Sequence, residues 1–265
     1  MKTKSILPIV ILGILLVALG VLLVVSKGNL AGLLSKLTGK VTEEAAKATD
    51  SGIQELKPIG TPEKVSESIR FRDEFDTDIT KDWGIKVISG LEKQLIWSQE
   101  DSHFRAEILN GNDTNFIFLH KDKNYKDVVV QAEIQNLGQS DNYMSVICRA
   151  SEKGWYEFRV TSRGYYEVLK FDQYLKNQGK NPYVNLSREY LRTPLIKTGQ
   201  EKNLIALSCT GNLLKVYINN EQLFQHRRPL EIEDNTFQEG TIGFGVASHG
   251  KSADLSFNWV EALNA

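Results

Sequence analysis

The sequence predicts an all-β fold, an antiparallel β-sandwich, preceded by one N-terminal transmembrane helix and a short helical stalk. Three observations carry that prediction. Residues Ile6 to Val25 form an uncharged apolar run. Leu30, Leu33, Leu34, Leu37 and Val41 then recur at the spacing of one helical face. From Ile69 onward the apolar residues alternate with a period of two between Gly, Asn and Asp turns. These changes of period divide the chain into 1–27, 28–68 and 69–265.

As a helix rising about 1.5 Å per residue, the first run spans about 30 Å of hydrocarbon. A cleaved signal peptide is the alternative, with Ala18-Leu19-Gly20 as its small-residue site. Val21 to Val25 continues the apolar run past that site, beyond the about 7–15 residues of a usual signal core, so an uncleaved anchor is expected. No Cys ends the segment, which excludes a lipid-modified cysteine there. Lys2 and Lys4 on one side and Lys27, Lys36 and Lys40 on the other leave orientation unsettled by charge. The leucine stripe that follows reads as a stalk or as a helix lying on the bilayer surface. Asp50 to Ser68, with Pro58 and Pro62, reads as a linker.

Charge narrows the partners. The chain carries 32 basic and 33 acidic residues, and residues 1–47 hold six Lys and two Glu. The remainder has 26 basic against 31 acidic residues, a net of −5, which argues against nucleic acid. Within it the expected strands include "NFIFLH", "DVVVQAEIQN", "NYMSVICRA", "GWYEFRVT", "GYYEVLKF", "KNLIALSCT", "LLKVYINN" and "GTIGFGVAS".

The succession "YMSVICRASEKGWYEFRVTSRGYYEVLK", "KNLIALSCTGNLLKVYINNEQLF" and "FQEGTIGFGVAS" resembles bacterial concanavalin A-like lectin/glucanase (laminin G-like) jelly-roll domains, from about Phe71 to Val260. "FRDEFD" with Asp82-Trp83 looks like that family's first strand and "SFNWVEA" like its last. The resemblance implies a fold and leaves activity open, because the superfamily includes binding modules, glycosidases, keto-disaccharide hydrolase-like domains and protein-binding domains. One departure is Gln173 to Pro194, a long loop where the family has a short polar link.

Cys148 and Cys209 are the two cysteines. Alternation puts Cys148 with Met144 and Val146, and Cys209 with Ile205 and Leu207, so both face inward. They are either two buried thiols or a bridge closing a loop of about sixty residues, worth about 4 kcal/mol on the chain-entropy model. The resemblance favours the bridge, and a bridge implies an extracytoplasmic location. His103, His120, His226 and His249 have no paired spacing, so no zinc site is expected. No cofactor is expected either. A structural calcium ion at "NGNDTN", Asn110 to Asn115, is implied by the resemblance alone, against an ordinary Asn/Gly turn.

Retaining sandwich glucanases place two carboxylates about 5 Å apart on one strand as E-x-D-x-x-E, and that motif is absent here. The nearest approaches are "EIED" (Glu231 to Asp234), in turn-like surroundings, and the single carboxylates Glu157 and Glu167, for which a cross-strand ion pair with Arg159 is the simpler reading. No G-x-S-x-G elbow is present. No catalytic residue is therefore expected.

Binding has more support. Tyr143, Ser145, Arg149, Trp155, Glu157 and Arg159 alternate away from the core-facing set, mixing aromatic rings with guanidinium forks. Sugars stack on such rings while planar polar groups hold their hydroxyls. Tyr174, Tyr183, Arg188, Tyr190 and Arg192 of the long loop are placed to fold over this face, as ligand contacts or as a lid. A solvated sheet face held by cross-strand pairs is the other reading. Residues and resemblance together imply a membrane-anchored, extracytoplasmic, non-catalytic binding module for glycan or cell-envelope polysaccharide. A glycoside-processing hydrolase of the keto-disaccharide hydrolase-like kind and a structural or protein-interaction module at the cell surface remain the alternatives.

Overall fold

The computed structural model describes residues 69–111, 113–139, 141–248 and 252–265. The expected transmembrane helix and stalk lie outside the described residues. Among the described residues no helix is long and apolar enough to cross a membrane.

In chain order the strands are β1 (Ile69–Asp73), β2 (Trp83–Ser89), β3 (Leu95–Glu100), β4 (His103–Ile108), β5 (Thr114–His120), β6 (Val128–Asn136), β7 (Asn142–Ser151), β8 (Gly154–Thr161), β9 (Tyr165–Asp172), β10 (Tyr183–Asn185), β11 (Leu191–Arg192), β12 (Asn203–Thr210), β13 (Leu213–Ile218), β14 (Glu221–Gln222), β15 (Phe224–Gln225), β16 (Arg228–Pro229), β17 (Glu231–Glu233), β18 (Thr241–Ser248) and β19 (Ala253–Leu263). One short helix, α1 (Gln173–Asn177), follows β9. The first sheet runs β14-β13-β12-β6-β19-β4-β3, with β1 beside β19 and β17 beside β13. The second runs β10-β9-β8-β7-β18-β5-β2, with β11 beside β9, and β15–β16 form a separate hairpin.

Side-chain alternation builds this layering. On β6, Val128, Val130, Ala132 and Ile134 are buried while Val129, Gln131, Glu133 and Gln135 point the other way and keep some water contact. The inner faces meet in one core with an aromatic centre. Phe118 stacks on Phe244 with ring centroids 4.8 Å apart, and Phe104 and Phe257 pack against Phe244 at 5.2 and 4.8 Å. Burying each such side chain contributes about 1.5–3 kcal/mol. Cys148 on β7 and Cys209 on β12 form a disulfide that ties the two sheets through this core, 61 residues apart in sequence with Cα atoms 6.7 Å apart.

Three segments differ from the sequence expectation. β2, with no clear alternation, is absent from the expected strands and is held as a sheet edge by its pairing with β5. Glu231–Glu233, expected in turn-like surroundings, is a short strand on β13. The expected long loop is partly ordered. Asp172 caps α1 by accepting from the Tyr174 and Leu175 N–H groups, and β10 and β11 both pair with β9. The free edge of β9 satisfies backbone groups that a loop would leave to water.

Candidate functional site

The outer face of the second sheet carries the predicted cluster. Trp155, Glu157 and Arg159 alternate along β8, and Tyr143 and Ser145 stand beside them on β7, so these five come together. They are largely closed to water. Trp155 is 0%, Glu157 1% and Ser145 2% exposed, and the Arg159 side chain 13%. Phe171 of β9 stacks on Trp155 at 3.8 Å, and Tyr183 of β10 meets Phe171 edge-on at 5.2 Å. The Arg159 guanidinium lies over the Tyr183 ring at 4.8 Å and the Tyr143 ring at 5.3 Å. Asn115 Nδ2 on β5 donates to the Tyr183 hydroxyl at 2.9 Å.

Glycines on β18 allow this closure. A Cβ at Gly245 would come 2.5 Å from Ser145 Oγ, and one at Gly243 would come 2.5 Å from the Phe118 carbonyl oxygen. Without side chains there, β18 leaves a low track between β5 and β7 into which neighbouring groups close.

Charge on this face is internally arranged. Glu157 Oε1 accepts from Arg159 Nε at 3.1 Å and Nη2 at 2.9 Å, and its Oε2 accepts from Trp155 Nε1 at 3.3 Å. The Tyr183 hydroxyl is also hydrogen-bonded to Glu157. Burial alone would weaken the Arg159 charge, but Glu157 beside it wins and holds the guanidinium more firmly protonated than usual. Glu167 is the cross-strand partner of Arg159. Burial pushes its carboxyl above the ordinary range and Glu157 adds to this, against the opposing pull of Arg159 and Asn185. Burial, with Glu157 next, likewise pushes the Tyr183 hydroxyl up.

A more open rim lies at one end of the cluster. Tyr190, 44% exposed, stacks on Tyr165 at 4.7 Å, and the Arg192 guanidinium lies 5.6 Å from the Tyr165 ring. Burial raises the Tyr190 hydroxyl, and a hydrogen bond to Tyr143 adds to that. This rim borders a cleft of about 490 Å³ lined by Tyr165, Arg192, Asp141, Arg163 and Gln200 among others.

Three predicted residues lie elsewhere. Arg149 does not share the face. A bulge after Cys148 puts it at φ 52°, and its side chain turns into the protein. There, fully buried, it donates to the Lys126 carbonyl at 2.8 Å, the Phe237 carbonyl at 3.1 Å and Asp127 Oδ1 at 3.3 Å. Tyr174, 68% exposed, borders a separate cleft of about 360 Å³ with Glu152, Asp172 and Asn177. Arg188 is exposed at φ 67° in the link between β10 and β11. Sequence reasoning passed over Phe171, Asn115 and Lys86. Phe171 was readable, since it continues the outward set of β9, whereas the other two depend on pairings across the sheet.

The carboxylates and turns are already engaged. Asp234 accepts from the Tyr156 hydroxyl and from Lys170, each at 2.6 Å. Burial would raise its carboxyl, but the bonds from Lys170, Thr236 and Tyr156 together bring it down to about 2. Of the two readings of "NGNDTN", the hydrogen bonds favour the turn over a calcium ion. The Asn110, Gly111 and Asp113 carbonyls accept from Gln94, Ser248 and Ser89, so oxygens a cation would need serve a protein turn. Among the described residues no group of three His, Cys, Asp or Glu side chains could hold a metal ion.

No family model matches the chain, and no curated protein matches it in sequence. Solved structures match in fold. LamAcat from Zobellia galactanivorans gives a TM-score of 0.51 at 9% identity, over 74% of this chain and 98% of that one. A prokaryotic beta-1,3-1,4-glucanase (lichenase) derived from a mouse hindgut metagenome gives 0.50 at 11%, over 73% and 98%. The carbohydrate binding module CBM66 from Bacillus subtilis gives 0.47 at 16%, over 66% and 91%. The fold is the concanavalin A-like jelly roll. At these identities the likeness is one of fold alone.

Proposed function

We propose that the domain is a non-catalytic glycan-binding module, held outside the cell by the N-terminal apolar helix. The observation that carries the reading is the rim of Tyr190, Tyr165 and Arg192. It presents ring faces and a guanidinium beside a cleft that Tyr165 and Arg192 line. A sugar's C–H face stacks on such rings, while guanidinium, amide and carboxylate groups hold its hydroxyls. The disulfide supports an extracytoplasmic location, because such bridges persist in oxidising compartments. Both oxygens of Glu157 are engaged in its buried cluster, which speaks against a catalytic nucleophile there.

The test is a saccharide screen by glycan array and calorimetry with the full-length chain in nonionic detergent. Binding is expected, and Tyr190→Ala should weaken it about tenfold or more, since one stacked aromatic is worth on the order of 1–2 kcal/mol, while the protein stays folded with a stability loss on the order of 1 kcal/mol from the lost stack on Tyr165. Absence of any saccharide ligand, or full affinity in Tyr190→Ala, would overturn the reading. Protease treatment of intact cells expressing the chain tests the location, with digestion of the domain expected.

A hydrolase reading has one specific observation in its favour. Glu157 and Glu167 both lie beside Arg159, one as its ion-pair partner and the other as its cross-strand neighbour, so two carboxylates converge on one guanidinium. Release of new reducing ends by the wild-type chain, lost in Glu167→Gln, would establish it over the binding reading.

A further inference from the structure

Two lysines stand on the outer face of the second sheet, by the Trp155 and Phe171 rings. Lys86 Nζ of β2 lies 5.3 Å from the Trp155 ring centroid, and Lys176 Nζ of α1 lies 5.8 Å from that of Phe171. Those two rings are themselves stacked at 3.8 Å. Lys176 donates to the Ile88 carbonyl at 3.3 Å, on the same strand as Lys86 and two residues along. The two ammonium groups thus come from different elements into electrostatic reach of each other. Neither forms an ion pair among the described residues, although the domain as a whole is acidic.

Each lysine has an ordinary role when taken singly. Lys86 shields a ring face, and Lys176 fastens α1 to the sheet. Neither role needs the other lysine beside it. Their juxtaposition has a cost: burial first, and then the charge of Lys86, hold the Lys176 ammonium below the usual lysine range, with no carboxylate acting in the other direction. Like charges left together over a desolvated aromatic floor are complementary to an anion.

We infer that Lys86 and Lys176 form an anion-binding subsite, so that the glycan taken by this face carries carboxylate, sulfate or phosphate groups. The inference rests on the glycan-binding reading and adds the ligand's charge to it. Trp155 lies five residues along β8 from Val160, the partner of Tyr166 beside the rim, about 16 Å at the rise of an extended strand. An oligosaccharide reaching from the tyrosine rim to the lysine pair therefore places an acidic group on a residue other than the one held at the rim.

The experiment uses the full-length chain in nonionic detergent on an array of neutral, carboxylated, sulfated and phosphorylated glycans, and the class of the bound members identifies the anion. Acidic members should bind, and binding should weaken as sodium chloride is raised. Lys86→Gln/Lys176→Gln should lose about tenfold or more, whereas Lys86→Arg/Lys176→Arg should stay within about twofold. Melting curves separate loss of charge from loss of fold, and Lys86→Gln alone, which leaves the α1 contact intact, should lose affinity in the same direction. Binding of neutral glycans that the glutamine pair leaves unchanged would overturn this inference and leave the glycan-binding reading standing. An array with no bound member would remove that reading, and the subsite with it.

Discussion

The outer faces of the two sheets start from the same alternating pattern and end in opposite environments. On the first sheet, Arg105 pairs with Asp254 at 2.9 Å, Lys202 with Glu133 at 3.4 Å, and the Arg72 guanidinium lies 4.2 Å from the Trp259 ring, all with access to water. On the second, Trp155, Glu157 and Ser145 occupy the equivalent outward positions and are buried. The segment from α1 to β11 makes the difference, by extending the sheet past β9 and laying Tyr183 over the cluster. Alternation decides which face a side chain takes, while whatever lies above that face decides its energetics. A charge pair on the open face trades water for little gain, whereas the same pair under cover must be complete or it is costly.

The largest test compares two tryptophans. Trp155→Ala should cost about 3–5 kcal/mol in urea unfolding, because it empties a stacked, dry site. Trp259→Ala, removing a half-exposed ring and its contact with Arg72, should cost on the order of 1 kcal/mol. Equal losses would mean that the two faces do not differ as described. Next in size is Glu157→Gln, which keeps the shape but leaves the Arg159 charge uncompensated under cover. A loss of about 3 kcal/mol is expected from chemical unfolding.

A smaller effect is read through pH. The Glu167 carboxyl is raised in the folded state, chiefly by burial. Between its ordinary value and the raised one, the folded protein holds a proton that the unfolded chain has released. Stability therefore falls as pH rises through that window and levels off above it. Glu167→Gln should remove this fall, so that melts of wild type and variant diverge in the variant's favour as pH rises from the ordinary glutamate range. A constant difference across the window would place Glu167 in open water, like the carboxylates of the first sheet.

How much of this was legible in the sequence follows from the same contrast. β6 reads directly, because its alternate residues meet core on one side and solvent on the other. The inward cysteines read equally well, each carried by clean alternation. Arg149 did not, because one bulged residue reverses the face, and the chain opposite accommodates it through Gly240, whose Cβ would fall 2.5 Å from the Arg149 carbonyl carbon. The cover over β8 was legible only as a long aromatic loop. That Tyr183 reaches Asn115, 68 residues away in sequence, depends on the glycines of β18, and "GFG" was the one local sign of a low strand. Lys86 carried no sign at all, since its meaning comes from Lys176 on another element.

The smallest expected effect bounds the comparison from the open side. Lys202 and Glu133 form a pair on the first sheet with side chains 48% and 32% exposed. Removing the lysine leaves Glu133 with its hydrogen bond from Asn258 and with water, so no charge is stranded. Lys202→Ala should therefore change stability by no more than about 0.5 kcal/mol at low ionic strength. The difference should vanish in about 1 M salt, where the screening length falls to about 3 Å, comparable with the pair's own separation. The Arg159–Glu157 pair has no such access to ions, so the cost of Glu157→Gln should persist at the same salt. If salt erased both differences alike, the cover over the second sheet would be permeable to water and ions, and the buried cluster would have to be read as a wet one.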